Sequence, residues 1–230
     1  MNLAVCIPIK DALPHFKKMM SSLFENTDRE FSLFLCDDFS GKPTADYIRT
    51  LPAKVIIRHK KQQFFTRSAN DLLIISHLAG ADYTFLLNSD LVLKKGWVGK
   101  MLSHFEDPSV YLVGSLYSPK KKSPEIIYNP EYATGHAWVL RNKYLPKIGI
   151  LDERHFHIKS DQYYSYRINT TKYKVLLDRH APILHHGGAS WGHDLSRLNR
   201  INPICLSKKR PVDFFNHPEL VKQYKEKFNL

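Results

Sequence analysis

Phe31-Ser-Leu-Phe-Leu-Cys-Asp-Asp-Phe-Ser40 is the stretch that decides how this chain folds. Residues 31–36 form a short, mostly apolar run, which suits a strand buried on both faces of a parallel sheet. Asp37-Asp38-Phe39-Ser40-Gly41 then supplies a polar loop at the strand's carboxyl end. The same grammar recurs upstream in Leu3-Ala-Val-Cys-Ile-Pro-Ile9, and downstream in Lys54-Val-Ile-Ile-Arg58 and Tyr83-Thr-Phe-Leu-Leu87. Helical segments separate these runs. Asp11 can cap a helix with Pro14 in its first turn, running to about Asn26. Pro43 opens a shorter helix to about Leu51, and a third spans about residues 66–78 before Gly80 stops it. The order βαβαβαβ predicts an α/β fold with a mainly parallel central sheet flanked by helices. In such sheets ligands bind beyond the carboxyl ends of the strands. Asp37, Asp38 and Asp90 all fall there.

The second half is less regular. A helix over about residues 95–105 is followed by a strand at 110–116 and a Lys-, Pro- and Ser-rich loop at 117–130. Gly135-His-Ala-Trp-Val-Leu140 reads as a strand, residues 159–167 as a helix, 173–177 and 181–185 as strands, and 211–228 as a helical tail. No break in composition divides the chain. The organisation expected is one domain, with a first half (1–92), a second half (93–192) and a C-terminal helical tail (193–230).

The chain has 230 residues, with 43% hydrophobic and 24% charged, an ordinary globular composition. Its net charge is +12. That charge invites a polyanion partner, yet no zinc-finger spacing, helix-turn-helix or aromatic RNA-binding signature accompanies it. Lys120-Lys121-Lys122 and Lys208-Lys209-Arg210 are the only basic runs, and both read as solvated loops beside Pro or Ser. Three cysteines without a CxxC pair point to a reducing compartment. No apolar run approaches the ~18 residues of a membrane span, and the N-terminus lacks a signal-peptide pattern. A soluble or peripherally membrane-associated cytoplasmic protein is expected.

The chemistry-bearing residues cluster at strand ends. Asn88-Ser89-Asp90 closes an apolar strand, where a carboxylate and an amide two residues apart can face one hard cation or form a solvated turn. Asp37-Asp38 carries the same ambiguity. His185-His186-Gly187-Gly188 follows another strand; one imidazole there can ligate a metal, with the glycines permitting close backbone approach. Asp161 opens a helix and can serve as a general base or a cap. There is no GxGxxG after the first strand, no GxxxxGK[ST], no GxSxG and no HExxH.

Taken in order, these segments resemble the family 2 inverting glycosyltransferases of the GT-A fold, over about residues 3–190. Val5-Cys-Ile-Pro-Ile-Lys10 resembles the opening strand with its proline, and Phe34-Leu-Cys-Asp-Asp-Phe-Ser40 the strand ending in Asp-Asp-x-Ser. Thr66-Arg-Ser-Ala-Asn70 is similar to the helix start near the nucleotide, and Phe85-Leu-Leu-Asn-Ser-Asp-Leu91 to the Asp-x-Asp strand end. Gly135-His-Ala-Trp-Val-Leu-Arg141, Ile148-Gly-Ile-Leu-Asp-Glu153, Lys159-Ser-Asp161 and His185-His-Gly-Gly-Ala-Ser190 complete the likeness. Ser160 stands where an acid usually precedes the base, and Asn88 removes one charge from the metal site.

The resemblance implies a metal-dependent, inverting, hexosyl-type transfer from a nucleotide-sugar, with a UDP-sugar as the default, to a hydroxyl of a glycan acceptor. It implies Asp161 as the general base. It places Pro8, Asp37, Asp38, Arg67, Asn70, Asn88, Ser89, Gly135 and His136 around the nucleotide-sugar. It assigns Asp90 with one of His185 and His186 to Mn²⁺ or Mg²⁺. No nucleic-acid partner is expected. Two other readings compete. A sugar-nucleotide nucleotidyltransferase shares the fold type but needs a Gly-rich, Arg-bearing loop where Lys10-Asp-Ala-Leu-Pro14 stands. A non-catalytic polyanion binder explains the charge but not the acids gathered at three strand ends.

Overall fold

The computed structural model describes residues 1–115, 125–157, 159–187 and 209–230. Lys120-Lys121-Lys122, Lys208 and Gly188-Ala189-Ser190 lie outside the described residues. Strand β1 (Leu3–Ile9) is buried along its whole length. Its alternate residues feed two apolar layers. Leu3, Val5, Ile7 and Ile9 pack with Phe16, Met19, Met20 and Leu23 of α1 (Leu13–Asn26), Ile48 of α2 (Lys42–Arg49) and Trp97 of α4 (Trp97–Ser103). Ala4 and Cys6 pack with Ala69, Leu72, Leu73 and Ile75 of α3 (Phe64–Leu78) on the opposite face. A strand covered on both sides is why the sequence shows a continuous apolar run rather than an alternating one.

The remaining strands are β2 (Ser32–Asp37), β3 (Val55–Arg58), β4 (Tyr83–Leu87), β5 (Leu91–Leu93), β6 (Val110–Ser115), β7 (Ile126–Tyr128), β8 (Ala137–Arg141), β9 (Lys174–Asp178) and β10 (Ile183–His185). Seven of them join β1 in one eight-stranded sheet in the order β3-β2-β1-β4-β8-β6-β9-β7. β1, β2, β3 and β4 run parallel, β8 is antiparallel to β4 and β6, and β9 is parallel to β6. The helices α5 (Leu145–Ile148), α6 (Ser160–Asn169) and α7 (Pro218–Phe228) complete the fold. Among the described residues no helix is long and apolar enough to cross a membrane.

The chain leaves β1 towards β2 and β3, then returns through α3 to β4 on the other side of β1. The strand order therefore reverses between β1 and β4, the place where an open α/β sheet leaves a crevice. The pairing of β1 with β4 stops at Cys6–Leu86, and Pro8, which brings no N–H to a ladder, lies beyond it.

Several expectations need correction. Asp11 does not cap α1, whose N-terminal residue Ala12 makes no side-chain cap. Its carboxylate instead accepts the Gly41 N–H at 2.7 Å and ties the loop after β1 to the start of α2. The short β5 pairs antiparallel with β10, carrying residues 91–93 into a small ribbon that the pattern of apolar runs did not separate from β4. The expected helical tail is a helix over Pro218–Phe228, and the segment before it packs on the body of the protein. Phe214 is fully buried against Ile74 and Ile150, and Ile150 N–H donates to the Val212 carbonyl at 2.8 Å. Gly149 permits this approach. Its φ is +83°, and a Cβ there would lie 2.3 Å from the Val212 oxygen. Gly149→Ala should therefore destabilise the protein by at least ~1–3 kcal/mol, the usual cost of a non-glycine residue in such a conformation. A lowered urea midpoint with an unchanged slope would register it.

Candidate functional site

The carboxyl edge of the sheet gathers the acids and histidines. Asp90 follows β4 and is 6% exposed. Its carboxylate meets the His185 Nε2 at 3.1 Å, because β10 runs beside β5 and ends there. His186 donates its backbone N–H to the Asp90 carbonyl at 3.1 Å, while its ring turns edge-on to His15, 5.2 Å between centroids. Of the two histidines, the structure brings the His185 ring to Asp90. His136 stacks on His185 at 4.6 Å with an 8° interplanar angle. Burial, reinforced by the neighbouring His185, pushes the His136 pKa down to about 3, so His136 is neutral near pH 7. Asn88 donates its N–H to the His136 carbonyl at 2.8 Å, which pins the end of β4 to the start of β8, and Ser89 is buried beside it.

Gly135, the next residue, reaches the other half of the site. Its N–H donates to Asp161 Oδ2 at 3.0 Å. The Asp161 Oδ1 accepts the Gln162 N–H at 2.9 Å at the first turn of α6. A Cβ on Gly135 would sit 3.2 Å from the Asp161 Cβ and 3.7 Å from the Phe65 ring. The absence of a side chain at 135 is thus what lets the strand and the helix start meet. His157 is half-buried within reach of the charges of both Asp38 and Asp161. Burial pulls its pKa below the ordinary value, while those two carboxylates pull the other way.

Asp37 and Asp38 are both buried, and they differ in their work. Asp37 accepts the Ser40 N–H at 2.7 Å and pairs with Arg58, which fixes the loop after β2. Asp38 Oδ1 accepts the Gln63 N–H at 2.6 Å and meets His59 Nδ1 at 2.7 Å, and its Oδ2 accepts the Phe64 N–H at 2.8 Å. A carboxylate has about four acceptor positions, so Asp38 retains capacity for one further donor. Phe64 is held at φ +66°, an uncommon conformation for a bulky residue. Asp11, Ala12, Phe39 and Lys159 share this left-handed region, and all lie in the loops that follow β1 and β2 or open α6. Backbone strain concentrated along one edge marks that edge as a functional candidate.

Two of the expected nucleotide contacts have partners within the protein. Asn70 is fully buried; its oxygen accepts the Leu151 N–H at 2.8 Å, and its amide donates to the Leu151 carbonyl and to Glu153. Every polar group of its side chain is used inside the protein, where it brackets the 151–153 segment. Arg67 pairs with Glu153 at 2.9 Å. The solvated-loop reading of Lys208-Lys209-Arg210 also fails at Arg210. That side chain is 7% exposed and lies between Asp71 and Glu153, at 2.6 Å from each. Two buried acids draw the guanidinium inward, a long-range pairing that a local basic run conceals.

His59, Asp71 and Tyr224 are residues that sequence patterns missed, and Glu153 enters there only as the end of the 148–153 likeness. His59 bridges Asp38 and Asp71, with Nε2 at 2.8 Å from the latter. Burial alone would lower its pKa, but hydrogen bonds to Asp38 and Asp71 outweigh that and push it up to about 12. Burial opposes the Asp71 charge, yet Arg210 and His59 hold its carboxyl well below the usual range. Cys36, His59 and Asp71 place three potential ligand atoms within 4.8 Å of one another, close enough to hold a metal ion. The thiol suits a softer metal than Mn²⁺ or Mg²⁺.

The chain matches the model of glycosyl transferase family 2 over residues 4–189. No curated protein sequence matches it. Solved structures share its fold at low identity. The mannosyltransferase PcManGT from Pyrobaculum calidifontis, in complex with GDP-Man and Mn²⁺, is 14% identical with a TM-score of 0.62, over 77% of this chain and 56% of that one. GalNAc-T7 with UDP, GalNAc and Mn²⁺ is 13% identical with a TM-score of 0.66, over 80% and 44%. S. aureus TarS in complex with UDP is 11% identical with a TM-score of 0.64, over 97% and 65%. The chain thus spans about half the length of the first two of these structures.

Proposed function

Because the chain belongs to glycosyl transferase family 2, we propose that it transfers a sugar with inversion from a nucleoside-diphosphate sugar to a hydroxyl of a glycan acceptor. A UDP-sugar is the favoured donor. One observation carries the reading. The dipeptide Gly135-His136 joins two chemically different groups: Gly135 holds the Asp161 carboxylate, and His136 stacks on the imidazole that touches Asp90. A proton acceptor and a cation-ligating pair thereby flank one strand end.

In this mechanism Asp161 takes the proton from the acceptor hydroxyl as that oxygen attacks the anomeric carbon. Attack from the face opposite the leaving diphosphate gives inversion through an oxocarbenium-like state. The Gly135 N–H fixes the orientation of the carboxylate, so little reorganisation accompanies the proton transfer. Asp90 and His185 present an oxygen and a nitrogen 3.1 Å apart. That donor pair, completed by phosphate oxygens, fits Mn²⁺ or Mg²⁺. Such a cation would neutralise charge developing on the leaving diphosphate. Asp38, through its remaining acceptor position, receives a donor group of the base or ribose. Pro8, Asp37, Asn88 and Ser89 shape the crevice around it, and Arg67 lies near the phosphates. The complexes of neighbours with GDP-Man, UDP and Mn²⁺ support this donor class.

A thermal-shift panel of nucleotide-sugars with Mn²⁺ tests the reading. Ligand at a hundredfold excess over Kd stabilises by about 2.7 kcal/mol, or roughly 5–10 °C for a protein of this size. One nucleotide family should give that shift. No shift with any nucleotide-sugar, alongside a salt-sensitive shift with DNA, would favour the polyanion-binding alternative.

A further inference from the structure

The family match ends at residue 189, yet residues 209–230 return to the body of the protein and bury a charge in it. We propose that this C-terminal segment is a working part of the donor site, with Arg210 and Tyr224 as positioning residues that hold Asp38 and the first turn of α3 through Asp71 and His59. The proposal rests on the reading that Asp38 and the start of α3 receive the nucleoside.

The connection is continuous. Arg210 Nη1 and the Tyr224 hydroxyl both donate to Asp71 Oδ1, each at 2.6 Å. Asp71 Oδ2 meets His59 Nε2 at 2.8 Å, and His59 Nδ1 meets Asp38 Oδ1 at 2.7 Å. Asp38 in turn accepts the N–H groups of Gln63 and Phe64, which keeps Phe64 in its left-handed conformation. A second arm runs from Arg210 Nε to Glu153 Oε1 at 2.7 Å, and from its backbone N–H to Glu153 Oε2 at 3.0 Å. Glu153 then holds Arg67 and Asn70.

The charges explain why the tail is needed. Among the described residues, Asp38, Asp71 and Glu153 pair with His59, Arg67 and Arg210. The family-matching body contributes all of these but Arg210. Without that guanidinium, two buried carboxylates share one fewer cation, and an unpaired buried charge is strongly unfavourable. Asp71 would then turn or take up a proton, His59 would lose its anchor, and the strained turn at Phe64 would relax. Tyr224 reports on the same path more gently. Its ring packs on Phe214 and Phe228, so Tyr224→Phe removes the hydroxyl and leaves the packing.

The test is calorimetric titration of UDP and of GDP, each with Mn²⁺, into wild type, Tyr224→Phe, Arg210→Lys, Asp38→Asn and the double variant Asp38→Asn/Tyr224→Phe. Near-UV circular dichroism confirms that each is folded. Tyr224→Phe and Arg210→Lys should bind the nucleotide about 2- to 30-fold more weakly, the span of long-range coupling. In the Asp38→Asn background, Tyr224→Phe should add nothing further. Folded Tyr224→Phe and Arg210→Lys with wild-type affinity would overturn the proposal, whatever their melting temperatures, because a merely structural role moves stability alone. Losses that add in the double variant would overturn it equally. If wild type binds neither nucleotide, or Asp38→Asn binds as wild type does, the donor-site reading itself fails and takes the proposal with it.

Discussion

Replacing Asp161 by Asn should lower sugar transfer by about 10²–10⁴-fold, the usual worth of a positioned general base, while leaving nucleotide-sugar affinity near that of wild type. The substitution is gentle. Asn keeps a side-chain oxygen to accept the Gly135 N–H or its own helix's N–H, and it is tolerated in the first turn of a helix. It cannot take up a proton. The loss should therefore appear in kcat and not in donor KM, because Asp161 acts on the acceptor hydroxyl and not on the nucleotide. Product formation under single-turnover conditions, with calorimetry for the donor, separates these quantities. Transfer at wild-type rate would remove Asp161 from the mechanism. Parallel loss of donor binding would reassign it to holding the Gly135 strand end.

Much of this arrangement is legible in the chain, for identifiable reasons. Strands β1, β2 and β4 are apolar runs buried on both faces, and burial of that kind writes itself directly into composition. Asp37, Asp38 and Asp90 stand out because each interrupts such a run at its carboxyl end. Gly135 and Asp161 could be named from the family pattern, but their contact spans 26 positions and is visible only in three dimensions. β5 escaped because a three-residue strand has no periodicity to read, whereas β10 falls within the strand read at 181–185. Asp11 was legible as a helix cap, yet the Gly41 N–H, 30 residues away, offered its carboxylate a stronger claim. The ionic path from Arg210 to Asp38 left no local signal at all. Arg210 and Asp71 are 139 residues apart, and Arg210 hides in a run of three basic residues that looks solvated.

The second large effect concerns the cation. Chelation by EDTA should remove most activity and Mn²⁺ should restore it, since the ligands read among the described residues are Asp90 and His185 and the donor phosphates would supply others. Asp90→Asn should raise the Mn²⁺ concentration needed for half-maximal activity by more than about tenfold, given that loss of even an outer-shell partner costs ~10–100-fold. His185→Gln should act in the same direction, and His186→Gln should have little effect because its ring faces His15. The most direct test of the account is equilibrium binding of UDP to wild type and Asp90→Asn, each measured in Mn²⁺ and in EDTA at one ionic strength. The account predicts saturable, one-to-one binding to wild type in Mn²⁺ that weakens at least tenfold in EDTA, and an Asp90→Asn variant nearly insensitive to the metal. Equal binding by wild type in Mn²⁺ and EDTA, or an Asp90→Asn variant that responds to Mn²⁺ as wild type does, would contradict it.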